Sequence, residues 1–165
     1  MAKYKKQLLV ELIPKTCHYS NVRTTVKPSE WDKIRFISYE SANNKCEICG
    51  DTGKNQGFNH NVECHETWEY NDETLIQTLT GLISLCPHCH KVKHPGLAQI
   101  KGESEIVISQ LMKVNEMSRN QAMGYLAEAF DLYHMRSEHE WTLDISYLEN
   151  TLNEYNEKPW WDKMI

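Results

Sequence analysis

The fold is decided by two short stretches, Cys46-Glu-Ile-Cys49-Gly50 and Cys86-Pro-His-Cys89-His90. Each Cys-x2-Cys pair can place two thiolates on one ion, and two pairs complete the tetrahedron that structural zinc prefers. These cysteines could instead form a redox pair or lie in the core by chance. Two pairs within one turn-rich segment favour a metal site over both alternatives. We therefore predict a structural zinc site whose ligands are Cys46, Cys49, Cys86 and Cys89.

Three histidines accompany these pairs. His65 lies between them in Val62-Glu-Cys-His-Glu66, and His90 and His94 follow the second pair. Because His90 and His94 are four residues apart, they share one face of a predicted helix. If His65 faces them, the arrangement can hold a divalent ion with open positions beside an imidazole that is free to take a proton from water. That combination is typical of metal-assisted phosphodiester hydrolysis.

The residues between and around the pairs predict two strands and a short helix. Residues 43–61 are rich in turn formers, and residues 62–69 and 74–85 have strand composition. Pro87 suits the first turn of a helix, so we expect a helix over about 88–94 that Pro95-Gly96 ends.

The flanking segments predict further elements. Residues 7–13 predict a strand that stops at Pro14, and Ser29 predicts the start of a helix that reaches about residue 42. Beyond Gly102 we expect a helix over 103–114, a long helix opened by a capping box at Ser118, a strand over 141–145 and a last helix to about residue 155. The predicted organisation is residues 1–42 (strand and helix packing on the core), 43–98 (zinc module) and 99–165 (acidic, mainly helical).

Charge is distributed unevenly along the 165 residues. The net charge is −5, but residues 1–40 hold eight Lys and Arg against four acids, whereas residues 101–165 hold six against twelve. A basic N-terminal face could follow a phosphate backbone, and the acidic part could face a protein partner or be a solvated helix surface.

Hydropathy argues against a membrane partner. No apolar run approaches the roughly 20 residues that span a bilayer. The stretch 8–10 is broken by Glu11, so it is too short for a signal-peptide core. We expect a cytoplasmic protein, a compartment where clustered cysteines more often hold metal than form disulfides.

The motifs Cys46-x2-Cys49-Gly50, Glu63-Cys64-His65 and Leu85-Cys86-x2-Cys89-His90-x3-His94 resemble those of HNH endonucleases, also called ββα-metal or treble-clef nucleases. The resemblance covers about residues 43–98. It implies an α+β fold with a treble-clef ββα-metal module around a four-cysteine zinc site. The implied activity is metal-dependent hydrolysis of phosphodiester bonds in DNA, with Mg²⁺, Mn²⁺ or Zn²⁺ as the catalytic cation.

The resemblance also implies residue roles. It makes His65 the base that polarises water and His90 a ligand of the catalytic metal. His94 becomes a second ligand or a phosphate contact, and Cys64 occupies a ligand position that is usually Asp or His. Glu66 offers a nearby carboxylate that could orient the imidazole or bind metal.

Two alternatives stay open. Gly81 stands where the family has the Asn that orients the base, although Asn71 or Gln77 could substitute for it. Together with Cys64, this favours a catalytically degenerate HNH fold that binds nucleic acid without cutting it. The second alternative is a regulatory protein that binds a protein partner through its acidic C-terminal part.

Overall fold

The computed structural model describes residues 7–157, with side chains described up to Thr151. It is a mixed α+β structure, as predicted. The elements in these residues, apart from two 3₁₀ turns, are α1 (Val22–Thr25), α2 (Pro28–Ser41), β1 (Glu63–Asn71), β2 (Ile76–Leu85), α3 (Pro87–Lys93), α4 (Pro95–Ile100), α5 (Ser104–Asn115), α6 (Arg119–Arg136), β3 (Thr142–Asp144) and α7 (Ser146–Glu157).

The predicted hairpin is confirmed. Strands β1 and β2 pair antiparallel from Glu63 opposite Leu85 to Asn71 opposite Ile76, with a register shift after Thr67. The Asn71 side chain closes the turn by accepting hydrogen bonds from the backbone N–H groups of Glu73 and Thr74. Strand β3 pairs parallel with the start of β2, so the sheet order is β1-β2-β3 and β1 lies at an edge.

The predicted N-terminal strand over residues 7–13 is wrong. Leu8 and Val10 are buried and Leu9 is exposed, so the alternation of an extended chain is present. Its hydrogen bonds, however, go to side chains: Asn115 bonds both the N–H and the C=O of Leu8, and the Tyr125 hydroxyl accepts from the N–H of Val10. The alternation of buried and exposed residues specifies one buried face, but it does not specify which element supplies the hydrogen-bond partners of the backbone. Here two helices, α5 and α6, supply them.

Most helix boundaries lie within one or two residues of the prediction, although α2 is capped by Lys27 and begins at Pro28, so Ser29 is not its N-cap. The capping box at Ser118 is confirmed, since Ser118 and Gln121 exchange hydrogen bonds at the start of α6. Helix α3 ends before Pro95 as expected, but Pro95 also begins a new helix, α4. Proline breaks a helix interior because it lacks an N–H, and it is tolerated at a first turn for the same reason.

Two buried clusters hold the elements together. The larger one joins Leu8 and Val10 to α3, α5 and α6 and includes three of the four paired cysteines. The smaller one, formed by Val22, Ile34, Leu79 and Leu148, packs α1, α2 and α7 on the hairpin. The end of the hairpin that carries His65 therefore lies beside both the cysteines and the N-terminal helices.

Candidate metal centres

The four paired cysteines come together. Their sulfur atoms all lie within 4.8 Å of one another, and Cys49 and Cys86 are 3.6 Å apart. A Zn–S bond of about 2.3 Å in a tetrahedron implies sulfurs roughly 3.8 Å apart, so the spacing suits a tetrahedral thiophilic ion. The first pair lies in a turn where Gly50 adopts φ +77° and donates its N–H to the carbonyl of Cys46. The second pair brackets the start of α3.

The electrostatics of this cluster favour at least one thiolate. Hydrogen bonds from Cys49, Cys86 and Cys89 lower the pKa of Cys46, against the opposing effect of burial. Hydrogen bonds with Cys46 and Cys86 raise the pKa of Cys49, and hydrogen bonds with the other three cysteines raise the pKa of Cys89. Four thiols crowded out of water in this way are stabilised when a cation replaces their protons. The residues present therefore fit a metal ion.

A second cluster is formed by His65, His90 and His94. Their ligand nitrogens lie within 4.8 Å of one another, and the ring centroids are 4.8–5.3 Å apart. Strand β1 supplies His65, the last turn of α3 supplies His90, and His94 lies at the junction of α3 and α4. Three imidazoles that converge in this way offer three nitrogen ligands to one ion and leave further positions open.

Glu63 orients one of these rings. Its Oε2 accepts a hydrogen bond from Nδ1 of His90 at 2.5 Å, and its Oε1 lies 2.9 Å from Nε2 of His60. The hydrogen bond from His90 is the main cause of the lowered pKa of Glu63. A carboxylate on Nδ1 fixes the tautomer that leaves Nε2 free to bind metal. Sequence reasoning missed this role, although Glu63 and His65 are two apart on a strand and so share a face.

Two of the three imidazoles, those of His65 and His94, are held in their neutral form. Burial lowers the pKa of His65 to about 2, with contributions from His94, His90 and Lys93, and burial lowers the pKa of His94 to about 4. Only 4% of His65 is exposed. Neutral nitrogens with available lone pairs are the form that binds a cation.

Two residues assigned to the site by sequence lie outside this cluster. Neither Cys64 nor Glu66 belongs to the groups of converging ligands found in the described part of the chain. Cys64 is near Ser38 of α2, and burial raises its pKa to about 11, which keeps it a thiol. Burial also raises the pKa of Glu66, and hydrogen bonds from the backbone N–H groups of Val22 and Arg23 oppose that rise.

All five residues nevertheless border one cleft. An open cavity of about 210 Å³ is lined by His65, His90 and His94 together with Cys64, Glu66, Ile13, Asn21, Arg23 and Trp31. A liquid water molecule occupies about 30 Å³, so the cleft has room for several waters or a small anionic group beside the histidines. Arg23 gives it a cation, and Glu66 gives it a carboxylate.

Asn71 and Gln77, the two residues that could substitute for the Asn of HNH endonucleases, lie away from the histidine cluster. Asn71 closes the far end of the hairpin, and Gln77 is buried opposite Tyr70, five residues along β1 from His65. Gly81 pairs with Thr67, and a Cβ at Gly81 would lie 3.2 Å from the Thr67 hydroxyl. A side chain at Gly81 would therefore crowd the hairpin.

Among residues 7–157, no helix combines the length and the apolar character needed to cross a membrane. Comparisons of the chain with protein-family models, with curated proteins and with solved structures found no match.

Proposed function

We propose that the protein is a metal-dependent endonuclease of the HNH type that hydrolyses phosphodiester bonds in DNA. The observation that carries the proposal is the convergence of His65, His90 and His94 in an open cleft next to a four-cysteine cluster. In this proposal the chain between the two cysteine pairs is a treble-clef ββα-metal module, and zinc at the cysteines holds the hairpin end and α3 in register.

The donor atoms indicate the class of cation. Three imidazole nitrogens suit zinc or a similar transition metal better than Mg²⁺ or Mn²⁺, which prefer oxygen ligands. When bound, such an ion supplies Lewis acidity that stabilises the developing charge on the phosphate and on the leaving oxygen. The chain supplies the three rings and, through Glu63, the orientation of one of them.

This geometry favours a different role for His65 from the one that the resemblance implies. A nitrogen lone pair that binds a cation is not free to accept a proton from water. The base is then another group in the cleft, and Glu66 is the carboxylate that lines it. In the proposed step, water attacks phosphorus, its proton passes to Glu66, and the P–O bond to the leaving oxygen breaks. Arg23 contacts the phosphate.

One experiment tests both the activity and the roles. The purified full chain is incubated with supercoiled plasmid and Mn²⁺, Zn²⁺ or Mg²⁺, and nicking and bound metal are measured for the wild type and for His65→Ala, Glu66→Gln and His88→Ala. His88 lies on α3 outside the histidine cluster and serves as the control. We expect both His65→Ala and Glu66→Gln to lose at least about 100-fold in rate.

Metal content separates the two roles. His65→Ala loses the exchangeable ion, whereas Glu66→Gln retains it. A His65→Ala protein that keeps the ion and loses only the rate would restore His65 as the base. A wild type that never nicks the plasmid with any of the three ions would contradict the nuclease.

A second candidate is a degenerate HNH fold that binds nucleic acid without cleaving it. It is favoured by Gly81, which has no side chain to hold a base in place and little space for one beside Thr67. Retarded migration of the plasmid in a gel, without nicking, would support this function. If the plasmid is neither retarded nor nicked, the result favours the third candidate, a protein that binds a protein partner through its acidic C-terminal part.

A further inference from the structure

A buried amide connects the cysteine cluster to a helix outside the motif. Gln110 lies on α5, is 5% exposed, and its Nε2 donates a hydrogen bond to the sulfur of Cys89 at 3.1 Å. Cys89 itself is fully buried, so water cannot take over as the donor. A buried polar group that has lost its partner is destabilising, so the amide and the sulfur depend on each other.

The surrounding packing makes this contact rigid. Val107, Leu111 and Val114 of α5 lie in the same buried cluster as Cys46, Cys86 and Cys89. Gln110 is thus the polar member of a helix face that otherwise packs apolar side chains around the cysteines. Helix α5 begins ten residues after the end of the motif, and nothing in the cysteine spacing predicts its presence there.

We propose that Gln110 is a positioning residue for the metal at the four cysteines, and that it couples metal binding to the docking of α5. The inference rests on the proposed four-cysteine metal site. An amide N–H stabilises a thiolate more than a thiol, because the hydrogen bond to the charged form is stronger. It therefore favours the metal-bound cluster over the protonated one. By reciprocity, the bound metal stabilises α5 on the core by the same factor.

The test compares variants of the full chain that keep volume and remove the donor. Gln110→Leu and the longer, unbranched Gln110→Met replace the amide, and Val114→Ala is a control that weakens the packing of the same helix face but keeps the Gln110 amide. The rate of zinc transfer to a chromophoric chelator and the sulfur-to-cobalt absorption of the Co²⁺-substituted protein are measured. We expect the two Gln110 variants to release zinc about 10- to 100-fold faster than wild type, with a shifted Co²⁺ absorption, as for other groups that hydrogen-bond metal ligands. Val114→Ala should release zinc near the wild-type rate.

A reciprocal measurement compares the wild type with Gln110→Met. Removal of zinc should accelerate hydrogen exchange of the backbone amides of α5, and this acceleration should be smaller in Gln110→Met. Zinc release from both Gln110 variants at the wild-type rate, with unchanged Co²⁺ absorption, would overturn the inference while leaving the metal site intact. A wild type that binds neither zinc nor cobalt would instead remove the metal site and the proposed function with it.

Discussion

His90 donates from Nδ1 to the Glu63 carboxylate across 2.5 Å, and the two residues come from different elements, α3 and β1. The hydrogen bond spans the gap between the hairpin and the helix at the point where the three imidazoles converge. Its effect on the histidine cluster is therefore both electrostatic and geometric, because it selects the tautomer of one ring and fixes its plane.

Replacing Glu63 should weaken divalent-ion binding at the histidine cluster without removing a ligand. We expect Glu63→Gln to lower the affinity for Zn²⁺ or Mn²⁺ about 10- to 100-fold, since an amide supports the ring less well than a carboxylate. Isothermal titration calorimetry measures the change. Glu69→Gln, on the exposed part of β1, is the matched control and should bind the ion like the wild type.

Removing one clustered cysteine should cost both a metal ion and stability. We expect Cys46→Ser to lose the tightly bound zinc and to lower the free energy of unfolding by several kcal/mol, on the order of the contribution of structural zinc to small domains. Metal analysis and chemical denaturation measure the two effects. Cys17→Ser is the control, because Cys17 is 1% exposed but lies outside the cluster. Equal zinc content in the two variants would contradict the assignment of the cluster.

The ion pair between Asp72 and Arg136 should make stability depend on pH in the acid range. Arg136 donates from Nε and Nη2 to the two carboxylate oxygens at 2.8 and 2.7 Å, and this hydrogen bonding lowers the pKa of Asp72 below its usual value near 3.8. A lowered carboxylate pKa adds stability above the unfolded-state value, and the gain disappears as pH falls through the folded-state value. We expect Asp72→Asn to lose about 0.5–1 kcal/mol at pH 7, a modest amount because the carboxylate is largely exposed.

Denaturation at pH 7 and at pH 2.5 checks the sign of this effect. The difference between wild type and Asp72→Asn should shrink at the lower pH. A difference that grows on acidification would exclude the pair as its source.

The capping box of α6 should contribute measurable stability without involving a residue of the cysteine or histidine cluster. We expect Ser118→Ala to cost about 1 kcal/mol, because it removes the acceptor for the N–H of Gln121. Thermal unfolding measures the loss. Ser109→Ala, at an exposed position within α5, is the control and should be neutral or slightly stabilising, since alanine is the better helix former.

Much of the fold could be predicted because its signals are local. The paired cysteines, the proline at the start of α3, the turn formers around the first pair and the capping box each act within a few residues. The convergence of His65 with His90 and His94 could also be anticipated, because the hairpin and α3 are joined at the second cysteine pair.

The remaining features depend on contacts between distant parts of the chain. Leu8 has the alternation of a strand residue, but its backbone partners are on a side chain 107 residues away. Gln110 reaches Cys89 from a helix whose pattern indicates only an amphipathic surface. Strand periodicity places Cys64 and His65 on opposite faces of β1. It does not reveal that the face with Cys64 packs on α2, away from the histidine cluster.

The position of β1 at the sheet edge bears on self-association of the protein. Over the described residues, β2 is the only strand that pairs with it, so no other strand of these residues takes up the backbone groups along its other side. Glu69 places an exposed carboxylate on this strand, whereas Glu63 is held by His90 and Glu66 by the backbone N–H groups of Val22 and Arg23. A second copy that extended the sheet here would have to pack beside the charge of Glu69, which opposes fibre growth from this edge.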